Sequence, residues 1–177
     1  MDKYFTLDSG IIETSRLLIR KEQLSDTEDV MSFINTDFVT KYNCYKPVTR
    51  EKLTQNITER PEYVLFEKSD GRVIGTVGIH EDSMRFNPAS CEICYLLAEE
   101  YARRGYMSEA LRAIVRHLFE SGREIVSARV FSENTASCRL LDSLGFHRDG
   151  CLRNAVVRFD GKCFDDCLWS VTKDELK

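Results

Sequence analysis

Long apolar runs, prolines and paired metal-ligating motifs are scarce in this chain of 177 residues, which has only three prolines and three histidines. No segment approaches the roughly 18 apolar residues of a membrane span. Residues 1–5 lack the apolar core of a signal peptide. A formal net charge of −4 argues against the basic stripe that nucleic-acid-binding proteins carry. These absences predict a cytoplasmic protein that binds neither membranes nor nucleic acids.

The seven cysteines form no complete metal-binding pattern. Cys91 and Cys94 make one C-x-x-C, but they lie in a predicted strand, where positions i and i+3 face opposite sides. Cys163 and Cys167 would share a strand face at a separation of about 13 Å, which is too long for one ion. We therefore predict no metal site and reduced cysteines. The odd count also argues against a full disulfide framework.

Hydrophobic residues make up 42% of the chain, which is enough for a sizeable core. No linker rich in proline, glycine or serine divides the sequence, so we predict one domain over residues 1–177.

Hydrophobic periodicity predicts seven strands and four helices. Asp70-Gly71 and Asp160-Gly161 are turn signals between strands, which predict antiparallel hairpins. A β–α–β unit in the middle implies a parallel crossover. The predicted fold class is therefore α/β (α+β), with a mixed, mostly antiparallel seven-stranded sheet and helices on both faces. The predicted strands cover residues 16–20, 63–66, 73–79, 90–97, 124–131, 146–153 and 163–171, and the predicted helices begin at a capping box over residues 25–28, at Thr49, at Arg104 and at Asn134.

A glycine turn with two arginines joins the predicted strand at residues 90–97 to the longest predicted helix. Arg103, Arg104 and Gly105 stand immediately before that helix. A helix N-terminus presents unpaired N–H groups and a partial positive charge. The sequence therefore predicts an anion seat at this turn, and phosphate is the biological anion that we expect there.

A second segment lies further along the chain, where Asn134 and Ser137 precede Leu140 and the pair Gly145-Phe146. Together the two segments resemble the acetyl-coenzyme A core of the GNAT superfamily of N-acetyltransferases. The resemblance covers roughly residues 12–172. The segment from Glu13 to Arg20 is similar to the start of the ribosomal-protein-alanine N-acetyltransferase subfamily.

The resemblance implies the GNAT fold and acetyl-coenzyme A as acetyl donor, without a metal. It also implies that backbone N–H groups of the glycine turn hold the pyrophosphate and that the strand before the turn binds the pantetheine arm. Ala102 and Met107 depart from the family pattern at the turn. The implied donor-binding residues are Leu96, Leu97, Arg103, Arg104, Gly105, Tyr106, Met107, Ser108, Asn134 and Ser137.

The resemblance further implies direct attack of a primary amine in a ternary complex. Glu92 is the candidate general base, although a strand carboxylate at the surface is the simpler interpretation. The family's usual tyrosine acid is replaced by Leu141. Ser137 is therefore the candidate donor to the leaving thiolate, and its simpler interpretation is a serine on a helix surface.

The acceptor implied by the subfamily is a protein or peptide N-terminus. Two alternatives stay open: a small-molecule amine such as a polyamine or antibiotic, and a non-catalytic module that senses coenzyme A. Turnover separates the enzyme from the sensing module. Related enzymes are commonly homodimers, so a homodimer is a further expectation.

Overall fold

The computed structural model describes residues 10–177 and contains one eight-stranded sheet. Its strands are β1 (Ile11–Glu13), β2 (Leu17–Lys21), β3 (Tyr63–Glu67), β4 (Arg72–His80), β5 (Ser90–Leu97), β6 (Ile125–Phe131), β7 (His147–Val157) and β8 (Cys163–Thr172). They are arranged in the order β1-β2-β3-β4-β5-β6-β8-β7. Within the described residues, β5 and β6 are the one parallel pair, so the predicted mixed, mostly antiparallel sheet is confirmed.

The predicted count of seven strands is wrong, because the sheet has an additional edge strand. β1 contains only three residues and pairs antiparallel with β2, where Ile12 lies opposite Ile19. Three residues are too few to show the alternation of polar and apolar positions that identifies a strand in a sequence.

Five helices cover the two faces of the sheet: α1 (Thr27–Ile34), α2 (Asp37–Thr40), α3 (Arg50–Glu59), α4 (Tyr106–Glu120) and α5 (Thr135–Ser143). The short α2 was not predicted. α4 begins after Gly105 and is followed by Gly122, which has a φ of +95°. Its apolar residues recur at helical spacing, and the buried stripe consists of Tyr106, Met107, Ala110, Leu111, Ile114, Val115, Leu118 and Phe119.

The predicted capping box at residues 25–28 is wrong. The Asp26 carboxylate instead accepts a hydrogen bond from the backbone N–H of Gln23 at 2.8 Å and two from the guanidinium of Arg20. Glu28 pairs with Arg50 at the start of α3. The capping box therefore lies two residues earlier, at Gln23 and Asp26, and the Glu28 carboxylate forms a tertiary ion pair instead.

β4 lies in the middle of the sheet, and its residues from Val73 to Ile79 are buried. The turn at Asp70-Gly71 connects it to β3 as predicted, with Gly71 at a φ of +66°. Gly75 is required by close packing, because a Cβ there would come within 2.5 Å of the Leu96 carbonyl oxygen. This close approach coincides with a register shift in the β3–β4 pair, between Leu65 and Phe66.

The parallel pairing of β5 with β6 is short. It runs through four residue pairs, from Ser90–Ile125 to Ile93–Ala128. Beyond this point β5 continues beside β4, and β6 continues beside β8. The two strands therefore diverge, and a V-shaped notch opens between their C-terminal halves.

Two cysteines at the far edge of the sheet are joined. Cys151 on β7 lies directly opposite Cys167 on β8, with their Cα atoms 4.0 Å apart, and the pair forms a disulfide. The expectation that all cysteines are reduced is therefore wrong for this pair, because strand pairing brings Cys167 to Cys151. The other five cysteines, Cys44, Cys91, Cys94, Cys138 and Cys163, are free.

Among the helices of residues 10–177, none is both long enough and apolar enough to cross a membrane.

Candidate active site

The main chain of β5 supplies the first element of the site. The N–H of Ala98 donates to the carbonyl oxygen of Ile74 at 2.8 Å, which fixes the phase of the β4–β5 ladder. Hydrogen-bonded and non-hydrogen-bonded pairs alternate along an antiparallel ladder. Leu96 therefore bonds to β4, whereas the N–H groups of Tyr95 and Leu97 point into the notch. Leu96 and Leu97 were both predicted to contact the donor through their backbone, and of these two Leu97 is the one whose N–H faces the notch.

The N-terminus of α4 lies at the notch end of β5 and has the backbone of an anion seat. Gly105 precedes the helix in the left-handed region, with a φ of +82°. The first intrahelical donor is Glu109, whose N–H bonds to the Gly105 oxygen at 3.0 Å. The N–H groups of Tyr106, Met107 and Ser108 consequently have no acceptor within the helix and are free for an anion.

The side chains around this turn divide into two groups. Tyr106 and Met107 are buried in the core, so they can contribute to the seat only through their backbone N–H groups. Arg103 and Arg104 are exposed at the turn. The Arg104 guanidinium lies 5.6 Å from the ring centroids of both Tyr101 and Tyr106, which keeps a positive charge beside the seat.

Arg16 is a member of this site that the sequence analysis missed. Its guanidinium lies 4.2 Å from the Tyr106 ring centroid and donates to the Arg104 carbonyl oxygen at 2.9 Å. A Cβ on Gly105 would come within 3.4 Å of Arg16 Nη2. Only the three-dimensional fold brings the start of β2 to the start of α4.

The Glu109 carboxylate holds Arg16 in place. It accepts hydrogen bonds from the Thr14 hydroxyl at 2.6 Å, from the Ser15 hydroxyl at 3.0 Å, and from the backbone and Nε of Arg16 at 3.0 and 2.6 Å. Partial burial raises the pKa of Glu109, but these hydrogen bonds outweigh it and lower the pKa to about 2. The carboxylate is therefore ionised and neutralised by Arg16, so it does not oppose an anion at the seat.

On the other side of the notch, Asn134 and Ser137 begin α5. The Asn134 Oδ1 accepts the backbone N–H of Ser137 at 3.2 Å, so the carbonyl end of this amide caps the helix. Ser137 is half-buried. Leu141, at the position of the family's usual tyrosine acid, is fully buried in the core and offers no proton.

Tyr95 is a second residue that the sequence analysis did not assign to the site. Its hydroxyl is buried without a hydrogen-bond partner within residues 10–177. Burial raises the pKa of this phenol, and the nearby Ser137 hydroxyl partly opposes the rise. Strand alternation places Tyr95 on the opposite face of β5 from Glu92. An orphaned polar atom beside Ser137 is consistent with a polar ligand group entering the notch from the α5 side.

Glu92 lies on the other face of β5 in a charged environment. No hydrogen bond among residues 10–177 ends on its carboxylate, which is half-buried. Burial raises the pKa of Glu92. The positive charge of Arg129 opposes that rise, and the negative charges of Asp82 and Asp166 add to it. A carboxylate with a raised pKa and a free lone pair has the properties of a general base near neutral pH.

The face of the sheet that carries Glu92 also carries a cluster of Glu62, His80 and Cys94. Their ligating atoms lie within 4.8 Å of one another. Much of the Tyr45 ring is exposed. Its phenol nevertheless has a raised pKa, because of partial burial and the nearby charges of Cys44, Cys94, Glu62 and Glu92. Residues 44 and 45 therefore border this acidic face.

Comparison with known proteins identifies the family of this chain. Residues 16–147 match the family described as Acetyltransferase (GNAT) domain. The uncharacterized N-acetyltransferase YoaA of Bacillus subtilis (strain 168) is 30% identical over 176 residues, which cover 92% of this chain and 97% of that protein.

Solved structures of this fold superpose over most of the chain. Ribosomal-protein-S5-alanine acetyltransferase from Vibrio fischeri has a TM-score of 0.81 at 20% identity, covering 94% of this chain and 98% of that one. Mycobacterium smegmatis RimJ in complex with CoA-disulfide has a TM-score of 0.78 at 20% identity, covering 90% of this chain and 83% of that one. At these identities the likeness establishes the fold, while the family match extends to the chemistry. This chain therefore belongs to the GNAT family of N-acetyltransferases, which use acetyl-coenzyme A as their acetyl donor.

Proposed function

We propose that this enzyme transfers the acetyl group of acetyl-coenzyme A directly to the primary amine of a protein or peptide N-terminus, in a ternary complex. The observation that carries the proposal is the notch between β5 and β6, which has Glu92 on one face of the sheet and Ser137 on the other. We also interpret residues 1–177 as one acetyltransferase domain.

The donor side of the notch is formed mainly by backbone groups. The free N–H groups of Tyr106, Met107 and Ser108 would donate hydrogen bonds to the pyrophosphate, with Arg104 adding positive charge. The N–H of Leu97 faces the notch and would donate to the pantetheine arm or to the thioester carbonyl. Because backbone groups carry most of these contacts, the departures at Ala102 and Met107 leave the seat intact.

The two faces of the sheet would divide the proton chemistry. Acetyl-coenzyme A, when bound, supplies an activated acetyl thioester. On one face, the Glu92 carboxylate would take the proton of the amine as its nitrogen bonds to the acetyl carbon and the carbon–sulfur bond breaks. On the other face, the Ser137 hydroxyl would donate a hydrogen bond to the leaving thiolate sulfur. Glu92 would thus act only as the base for the amine, and Ser137 only as the hydrogen-bond donor to the thiolate.

The face of the sheet that carries Glu92, which we call the acceptor face, supports a cationic acceptor. Glu92 lies on it without an ion pair among residues 10–177, whereas the neighbouring Asp82 and Asp166 are paired with Arg85 and Arg129. An N-terminal ammonium group would be attracted to this unpaired carboxylate. It would lose its first proton to solvent, and the neutral amine could then attack with Glu92 as the base. The similarity of residues 13–20 to the ribosomal-protein-alanine subfamily, together with the Vibrio fischeri neighbour, favours a protein N-terminus over a small amine.

Calorimetric titration with acetyl-coenzyme A tests the donor seat. We expect micromolar binding by the wild-type protein and none by Gly105→Asp, which adds a side chain at positive φ and a negative charge at the seat. Gly122→Asp is the matched control, because Gly122 also has a positive φ, of +95°, and a Cβ there meets no atom within 4 Å. Absence of binding by the wild-type protein, or equal binding by the two variants, would contradict the seat.

Turnover tests the chemistry and the acceptor. With peptides that begin with a free alanine, the enzyme should release coenzyme A from acetyl-coenzyme A. With the same peptides acetylated at the N-terminus, it should not. Glu92→Gln should lower the rate by about 100-fold or more, and Ser137→Ala by about 10-fold, with donor affinity unchanged. Turnover with polyamines alone would indicate a small-molecule acceptor. Donor binding without turnover on any amine would identify a sensing module.

A further inference from the structure

Three side chains with different metal-ligating atoms meet on the face of the sheet that carries Glu92. Glu62 immediately precedes β3, His80 ends β4 and Cys94 lies in β5. Their carboxylate oxygen, imidazole nitrogen and thiol sulfur all lie within 4.8 Å of one another. His80 Nε2 and Cys94 Sγ are 3.3 Å apart. Nothing in the acetyl-transfer mechanism requires this combination.

Gly78 is the reason why the three side chains converge. It lies directly opposite Cys94 in the β4–β5 ladder, and the β3–β4 register continued by one residue places Glu62 opposite its other side. A Cβ at this position would meet His80 Nε2 at 2.5 Å, Cys94 Sγ at 2.7 Å and Glu62 Oε1 at 3.1 Å. All three ligating atoms therefore surround the space that a side chain at residue 78 would fill.

We propose that Glu62, His80 and Cys94 bind one zinc ion above Gly78. Thiolate, imidazole and carboxylate are the three ligand types that zinc prefers in proteins, and three protein ligands leave a fourth position for water or another ligand. Zinc–ligand bonds of about 2.0–2.3 Å place neighbouring ligand atoms of a tetrahedron about 3.3–3.8 Å apart. The separation of His80 Nε2 and Cys94 Sγ is already close to that value.

This site would bring a cation to the acceptor face without using the donor seat. Cys94 and Glu92 are two residues apart on the same face of β5, a separation of about 7 Å. Zinc binding is thus inferred independently of acetyl transfer, and either property can fail without the other.

Cobalt substitution gives a direct test, because Co²⁺ reports its ligands by absorption. The full chain, stripped of metal and handled without oxygen so that the free thiols stay reduced and the Cys151–Cys167 disulfide stays intact, should bind one equivalent of Co²⁺ with tetrahedral d–d bands and a thiolate-to-cobalt charge-transfer band. Zn²⁺ should displace it. Cys94→Ser should abolish the charge-transfer band, and His80→Ala should weaken Zn²⁺ binding by about 100-fold or more. Cys163→Ser, which removes an exposed free thiol on β8, should change nothing.

A steric variant tests the same site with all three ligands retained. Gly78→Ala should abolish the charge-transfer band by filling the space between the ligating atoms. The matched control Gly150→Ala, in open space on β7, should retain it. Near-ultraviolet circular dichroism would confirm that each variant is folded. The proposal is overturned if the wild-type protein shows no thiolate band, if the band survives Cys94→Ser, or if Gly78→Ala binds Co²⁺ as the wild type does.

Discussion

Replacement of Glu109 by glutamine should destabilise the protein in a pH-dependent manner. The variant retains the size of the side chain and removes its charge. The wild-type carboxylate accepts four hydrogen bonds from Thr14, Ser15 and Arg16. A glutamine amide would present an NH₂ group to some of these donors. The contact joins the start of β2 to the first turn of α4, so its loss should affect both the global fold and the anion seat.

The size of the effect follows from the pKa of Glu109. Hydrogen bonding lowers this pKa from 4.5 to about 2, against the opposing effect of burial. One pKa unit corresponds to about 1.4 kcal/mol, so the full difference amounts to about 3 kcal/mol. Because the Arg16 side chain is 38% exposed, solvent screening reduces the value, and we expect about 2 kcal/mol at pH 7. A depressed folded-state pKa stabilises above pH 4.5, and the stabilisation is lost as the pH falls from 4.5 towards 2.

Urea unfolding of the wild type and Glu109→Gln at pH 7, 5 and 3 would measure this difference. The gap in unfolding free energy should be largest at pH 7 and should shrink at pH 3. Glu120→Gln, at the exposed end of the same helix, is the matched control and should change stability little. A gap that is absent at pH 7, or that stays constant down to pH 3, would refute the assignment of Glu109 as an ionised structural carboxylate.

Three further predictions concern the thiols, the general base and the buried phenol. Thiol titration of the denatured protein should count five free cysteines before reduction and seven after it, and seven before reduction would contradict the Cys151–Cys167 disulfide. The acetylation rate should fall as the pH drops through the raised pKa of Glu92, because a protonated base cannot accept the amine proton. An acidic limb that persists in Glu92→Gln would assign the base elsewhere. Tyr95→Phe should leave the free energy of unfolding unchanged or raise it, because the lost hydroxyl has no hydrogen-bond partner among the described residues. A loss of more than about 1 kcal/mol in thermal or urea unfolding would show that the hydroxyl is bonded.

The elements with regular local patterns could be predicted from the sequence. The apolar stripe of α4 follows helical spacing along the whole helix and is buried as expected. The turn at Asp70-Gly71 connects two antiparallel strands, because glycine supplies the positive φ at low cost. The crossover from β5 through α4 to β6 is parallel, as a β–α–β sequence implies.

Contacts between distant segments could not be predicted in this way. Arg16 reaches the Glu109 carboxylate across 93 positions, and nothing in either local sequence marks the pair. The cluster above Gly78 draws its ligands from β4, from β5 and from the residue before β3, whereas sequence spacing compared Cys94 only with Cys91. Cys151, which forms the disulfide with Cys167, lies on the facing strand β7. In each case strand register, rather than sequence spacing, decides which side chains meet.

The short parallel pairing of β5 with β6 has a mechanical consequence. Within residues 10–177, four residue pairs form the only ladder between a half-sheet of β1 to β5 and a half-sheet of β6, β7 and β8. The seam can therefore act as a hinge, with the notch as its open side. An extended pantetheine arm in the notch would bridge the two halves as a surrogate strand. We expect donor binding to stiffen the molecule across this seam and to slow amide hydrogen exchange at Tyr95 and Leu97.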